Sequence, residues 1–248
     1  MHNDDMDALL HSIEEQEEAE VKKSQNYNIL KMDQGSNEWL LARCGRITGS
    51  DAHILFMSGK GKEPSLTKIA YARKIAYERM YGDPLVSDIS NIKQVAHGLE
   101  CEMLAISEYE QANSCNVNRV GFLSVDRGEY AGMIGCSPDG MIGNDGMIEI
   151  KCPFNQEKHL SFFYGGMNEK EWIIQCRFNM FVANKEWIDF VSYDPRRPHQ
   201  ARMFEQRIYK CKDWELELIE KIEEFYFLVE LCSKTWKELN EKRYINGG

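Results

Sequence analysis

The chain has 248 residues, 43% of them apolar, and a formal net charge of −10. That length suffices for one large core, or for a core with helical additions. No apolar run approaches the ~18 residues that span a bilayer, and the acidic balance argues against indiscriminate binding to nucleic acid. The charge is uneven, however. Residues 1–23 hold eight acids (Asp4, Asp5, Asp7, Glu14, Glu15, Glu17, Glu18, Glu20) against Lys22 and Lys23, a net −6 that leaves −4 for the other 225 residues. A local basic channel therefore remains compatible with the composition. The eight cysteines are scattered without a Cys-x-x-Cys pair, so they signal neither a zinc site nor a disulfide framework. The N-terminus is acidic and carries no signal-peptide pattern. Together these features read as reduced, largely buried thiols of an intracellular, cytoplasmic protein.

In chain order, residues 1–24 read as an acidic extension, with Leu9, Leu10 and Ile13 as a short apolar stripe, and residues 25–248 as a single domain. Ser36 is the N-cap of a helix running to Arg43, and a second helix is expected from Thr48 to Leu55. Met57 to Glu63 is a loop containing Lys60 and Lys62. Amphipathic helices follow at 66–81 and 94–112, separated by the turn-rich Gly82, Asp83 and Pro84. Val117 to Val125 and Tyr130 to Gly135 are strand-like. After a hairpin at 139–151 come helices near 155–164 and 170–183, strands at 187–193 and 203–209, and a long C-terminal helix from about Asp213 to Glu241. Helices flanking a short central mixed sheet make this an α/β (α+β) fold.

The hairpin carries the chemistry. Met147-Ile148-Glu149-Ile150-Lys151 alternates at period two, which predicts a half-buried strand with Ile148 and Ile150 on one face and Glu149 and Lys151 on the other. Gly143, Asn144, Asp145 and Gly146 tolerate the backbone conformations of a tight turn. A three-residue loop at 143–145 sets Asp139 opposite Glu149, where side chains have Cβ atoms ~4.5–5.5 Å apart. Two carboxylates that close repel unless a cation lies between them. An all-oxygen pair suits Mg²⁺ better than zinc. Lys151, on the same face, could orient an attacking water or neutralise charge developing on a phosphate. This points to an enzyme acting on phosphodiesters.

Other groups are less specific. Glu100 and Glu102 point to different faces of one helix, so only one reaches a site. Arg43 and Arg46 with Ser50 could form an anion pocket at a helix N-terminus. Gln175 and Arg177 lie one turn beyond Trp172, open between surface and site. His53, His97, His159 and His199 have no metal-ligand spacing, and the clusters at 162–164 and 225–227 read as core.

Four blocks, taken in order, resemble the phage lambda-type exonucleases, the YqaJ-like viral recombinase family within the PD-(D/E)xK nucleases. They are Gln34 to Trp39 with Arg43 to Ser50; Gly98 to Glu102; Cys136 to Gly140 with Glu149 to Phe154; and Gln175 with Tyr193 to Arg196. The resemblance spans roughly 34–197 and implies a restriction-endonuclease-like core. It implies that Asp139, Glu149 and the Ile150 carbonyl bind metal, that Glu102 completes the metal and water shell, and that Lys151 is the catalytic lysine. Arg43 and Ser50 match positions that hold the 5′-phosphate of a DNA end. Gln175 matches the first glutamine of a Gln-x-Gln pair, and Arg177 replaces the second, as a polar or phosphate contact. Lys60 or Lys62 could stand in for a basic loop residue.

The implied activity is a Mg²⁺-dependent exodeoxyribonuclease, with Mn²⁺ substituting and two ions expected. It would digest one strand of linear duplex DNA 5′ to 3′ by in-line attack of water. Such enzymes form ring-shaped homotrimers in phage-infected or lysogenic cells and pass the 3′ strand to a single-strand annealing protein. An endonuclease on the same fold and a catalytically silent recombination scaffold are the alternatives.

Overall fold

The computed structural model describes residues 27–61, 63–85 and 93–246. The acidic extension, Lys62 and the side chains of His97 and Glu100 lie outside the described residues. Among those described, no helix is long and apolar enough to cross a membrane.

Among the described residues, nine strands form two mixed sheets. The first contains β1 (Tyr27–Leu30), β2 (Ile47–Thr48), β4 (Phe122–Val125) and β5 (Ile134–Cys136), in the order β1-β4-β5-β2. The second contains β3 (Val117–Asn118), β6 (Gly140–Ile142), β7 (Gly146–Lys151), β8 (Trp187–Tyr193) and β9 (Met203–Tyr209), in that order. In this sheet β7 and β8 are parallel, and the other pairs are antiparallel. A parallel pair needs a crossover connection. Here it is made by α4 (Gln156–Gly165) and α5 (Lys170–Ala183). The remaining helices are α1 (Asn37–Arg43), α2 (Leu66–Tyr81), α3 (Lys93–Asn113) and α6 (Lys212–Asn246).

The helix caps follow from local chemistry. Ser36 Oγ accepts from the Trp39 amide and Ser65 Oγ from the Lys68 amide. Gly82 ends α2 at φ 65°, a left-handed conformation that costs glycine little. The 35-residue α6 packs along α2, where the Tyr71 and Phe225 rings lie 5.1 Å apart and Tyr226 donates to the Met133 carbonyl at 2.6 Å.

Three expectations are corrected. Residues 49–56 form a 3₁₀ helix behind the short strand β2, not an α-helix from Thr48. The segment 117–125 is two strands broken around Gly121, where a Cβ would lie 2.4 Å from the Met32 carbonyl oxygen. Residues 130–133 are turn, and the strand begins only at Ile134. None of the eight cysteines forms a disulfide, but only Cys101, Cys136 and Cys176 are buried.

The half-buried reading of β7 is also corrected, because the strand is covered on both faces. Ile148 and Ile150 pack with Cys101, Ala105 and Tyr109 of α3, whereas Met147 belongs to the core containing α5. Alternation in the sequence therefore separates two interiors rather than core from solvent. Gly146 opens the strand where a Cβ would meet the Trp187 ring at 2.2 Å.

An ion pair between buried Asp189 and exposed Arg207 ties the sheet to α3. Arg207 donates to both oxygens of buried Asp189 at 2.8 Å, and the Tyr109 hydroxyl donates to Oδ2 at 2.5 Å. The guanidinium lies 3.6 Å from the Trp187 ring centroid. Arg207→Ala should leave the carboxylate under-compensated and cost about 2–3 kcal/mol. The expected readout is a lower urea midpoint with an unchanged m-value.

Candidate active site

Pairing of Gly140 with Ile148 and of Ile142 with Gly146 continues outward to set Asp139 in line with Glu149, as the three-residue turn predicts. Asp139 is half-buried, and its Oδ2 accepts the Ile150 amide proton at 2.6 Å. Glu149 is 2% exposed, so the covered face of β7 carries a carboxylate into the interior.

The donors that make this burial tolerable come from α5. Trp172, Gln175 and Asn179 recur at helical spacing and turn one face of α5 onto Glu149. Gln175 Nε2 donates to Glu149 Oε1 at 2.5 Å and Asn179 Nδ2 to Oε2 at 3.1 Å. Lys151 Nζ donates to Glu149 Oε1 at 2.7 Å and to Gln175 Oε1 at 3.1 Å, and lies 5.9 Å from the Trp172 ring centroid. Burial pulls the Lys151 ammonium down, but Glu149 and Asp139 outweigh it and hold the group above the ordinary lysine range. The lysine is thus held as a cation. Asp139 is pushed well above the usual carboxylate range, first by desolvation and then by Glu149 and Glu102.

A second cluster sits beside the first. Arg43, at the end of α1, lies over the Trp39 ring at 4.1 Å and donates to Thr48 Oγ1 at 2.9 Å and Ser50 Oγ at 3.1 Å. Arg46 does not join it, because its guanidinium bonds Asp126 and the Val125 carbonyl. The clusters touch at Gly49, where a Cβ would stand 2.2 Å from Asn179 Oδ1 and 3.4 Å from Gln175 Cγ. Only glycine lets the segment before Ser50 approach α5 so closely.

The other sequence candidates are placed differently. Glu102 pairs with Arg119 at 3.1 Å. The Ile150 side chain faces the α3 core with Val191 and Tyr193. Arg177 lies over the Trp214 ring at 5.7 Å, with its Nε buried and without a hydrogen-bond partner. Lys60 is exposed in its loop. Arg196 bonds Asp194 and the carbonyls of Pro153 and Phe154, tying the exit of β7 to the end of β8. His159 is buried between Ser192 and the Ala201 carbonyl, consistent with a structural role. Phe162 and Phe225 are core, but Tyr164 and Phe227 are exposed at 93% and 72%, contrary to the core reading of their clusters. A groove of about 1170 Å³ between α2 and α6 is lined by none of the site residues. Asn179 and Gly49 escaped the sequence reading. The signal for Asn179 was its position four residues beyond Gln175 on the same helix face.

Among the described residues, no three His, Cys, Asp or Glu side chains stand together closely enough to hold an ion. Asp139 and Glu149 nevertheless fit a hard divalent cation as a pair of oxygen donors. Burial, and after it Glu149 and Glu102, push Asp139 upward, and Asn179 Oδ1 is a buried oxygen without a hydrogen-bond partner.

The YqaJ-like viral recombinase domain model matches residues 38–186. No curated protein matches the chain. The crystal structure of an alkaline exonuclease, LHK-Exo from Laribacter hongkongensis, is similar with a TM-score of 0.72 and 27% identity, covering 84% of this chain and 99% of that one. The same enzyme in complex with dAMP gives a TM-score of 0.73 at 27% identity, with 84% and 99% covered. A phage-related exonuclease from Haemophilus somnus 129PT shares the fold, with a TM-score of 0.56, 18% identity and 79% and 96% covered.

The electrostatics yield a stability prediction. A carboxyl whose folded pKa is raised adds stability that is fully present below its unfolded value, near ~3.9, and is lost as pH rises through the folded value. Asp139→Asn keeps an oxygen for the Ile150 amide and removes the charge. It should stabilise the metal-free protein at neutral pH, seen as a raised Tm. The gain should vanish at low pH in paired calorimetric scans.

Proposed function

Because the chain belongs to the YqaJ-like viral recombinase family, we propose that this DNA exonuclease digests one strand of linear duplex from its 5′ end. The product is a duplex with 3′ single-stranded overhangs, the substrate for recombination by strand annealing. Asp139, Glu149 and Lys151 are read as the PD-(D/E)xK set, in one domain over residues 25–248. The observation that carries the reading is the contact between the two clusters, in which Asn179 bonds Glu149 and abuts Gly49, next to Ser50. It supports a phosphate-binding arginine immediately beside a carboxylate pair.

Each residue then has a task. Asp139, Glu149 and the Ile150 carbonyl would hold Mg²⁺ or Mn²⁺, singly or as two ions, with Glu102 as a further oxygen. Bound metal would supply Lewis acidity and lower the pKa of water. Gln175 and Asn179 fix the Glu149 carboxylate, so its orientation need not be reorganised during reaction. Lys151, held as a cation, orients water and stabilises charge developing on the phosphate. Arg43 offers a planar fork to the terminal 5′-phosphate, with Ser50 as a second donor. Arg177, over Trp214, is read as a more distant DNA contact. The family resemblance further supports a homotrimer that hands its product to an annealing protein, inside a cell that carries the recombining DNA.

Linear duplexes labelled at the 5′ or the 3′ end test the polarity. The 5′ label should be released first in Mg²⁺, and earlier release of the 3′ label would overturn the direction. Chelation should stop digestion and Mn²⁺ should restore it. Asp139→Ala should lower the rate by on the order of 10³-fold or more. Arg43→Ala should slow digestion of 5′-phosphorylated ends by about 10-fold more than that of 5′-hydroxyl ends. Equal slowing of both ends would favour an internal-cutting enzyme.

A further inference from the structure

Arg119 takes no part in the mechanism above, yet it is the cation bonded to Glu102. Its Nη2 donates to Glu102 Oε1 at 3.1 Å, with the arginine 53% and the glutamate 20% exposed. The segment carrying it is pinned from two sides. Gln34 Nε2 donates to the Val120 carbonyl at 3.1 Å and to the Pro138 carbonyl at 3.2 Å, so Arg119 and Asp139 each adjoin a residue held by the same amide. On the other side Gly121 packs against the backbone carbonyls of Leu30 and Met32, where a Cβ would lie 2.7 and 2.4 Å away. Glu102 in turn adjoins Cys101, which packs with Ile150, whose amide donates to Asp139. An exposed guanidinium therefore stands at the rim of the carboxylate pair and engages the third acid.

We propose that Arg119 is an exchangeable counter-ion of the active site, neutralising Glu102 in the free protein and passing to a DNA phosphate when Glu102 turns to a divalent cation. This accounts for the lack of a ready three-carboxylate cluster among the described residues, since Glu102 is engaged by Arg119. It rests on the metal-site reading of Asp139 and Glu149. The exchange conserves charge pairing. The cation takes Glu102 from Arg119, and Arg119 moves to the phosphate when DNA binds. A guanidinium suits both partners, because carboxylate and phosphate each offer a pair of oxygens that its fork can engage bidentately.

The exchange predicts effects of opposite sign from one substitution, which misfolding would not produce. In Arg119→Ala, Mn²⁺ should bind the DNA-free protein about two- to fivefold more tightly by calorimetry, the range expected for losing a half-exposed ion pair that competes with the metal. A duplex made resistant to cutting by terminal phosphorothioate linkages, measured in Mg²⁺, should bind about fivefold more weakly near 0.1 M salt. Its log–log salt slope should fall by about 1. Arg119→Lys, which keeps the charge, should restore most of the DNA affinity and the slope. Unchanged or weaker Mn²⁺ binding in Arg119→Ala, or an unchanged salt slope, would overturn the exchange while leaving the metal site standing. Absence of Mn²⁺ binding in the unaltered protein would overturn the metal-site reading and the exchange with it.

Discussion

Glu149 is the residue on which the architecture turns, because it is a carboxylate on a strand covered from both sides. A buried charge is tolerated only when its lone pairs find donors. Those donors come from Gln175, Asn179 and Lys151, two of them on one helix. That requirement constrains α5 together with its apolar packing. The helix must lie in the register that presents Gln175 and Asn179 to β7, and its other side must still pack Phe178, Phe181 and Val182 into the main core. The crossover from β7 to β8 therefore performs two functions, closing the parallel pair and delivering the amides.

Neighbouring contacts inherit their positions from that arrangement. With Asn179 aimed at Glu149, its remaining amide oxygen faces the chain at Gly49, and only a residue without a side chain fits there. The 3₁₀ segment after β2 is drawn against α5, which brings Ser50 and the Arg43 guanidinium alongside the carboxylates. Tying the loop after β7 to Asp194 and Arg196 stiffens the far end of the same strand. The arrangement retains imbalances at the site, with Asp139 pushed upward first by burial and then by Glu149 and Glu102, and Asn179 Oδ1 buried without a hydrogen-bond partner.

Local chemistry was most legible where caps and periodicity agreed. Helix α2 runs from Leu66 to Tyr81 as expected, with Ser65 capping its start and Gly82 its end, and the turn at 143–145 set the hairpin register. What failed depended on distant neighbours. Alternation in β7 showed that its two faces differ, but could not show that α5 covers the charged one. Asn179 lies among apolar residues of a buried helix, and its partner is 30 positions away in the chain. Arg46 resembled Arg43 in sequence but turns to Asp126 on another loop. Arg177, two residues from Gln175, points away from it because successive helical residues diverge by about 100°.

The acidic balance is compatible with a DNA substrate once the charges are located. Much of the net −10 lies in residues 1–23, and several further acids are interior. Glu149 is paired with Lys151, Asp189 with Arg207, and Asp194 with Arg196 and Arg197, so these carboxylates are already matched by cations. Among the described residues, the groups that the proposed reading sets against phosphate are local: Lys151, Arg43 with Ser50, Arg177, and Arg119 at the rim. On that reading, a terminal phosphate meets Arg43 and Ser50 in addition to the contacts open to an internal phosphate. On the proposed reading, that asymmetry favours ends over interior sites, and with them an exonuclease over an enzyme that cuts anywhere.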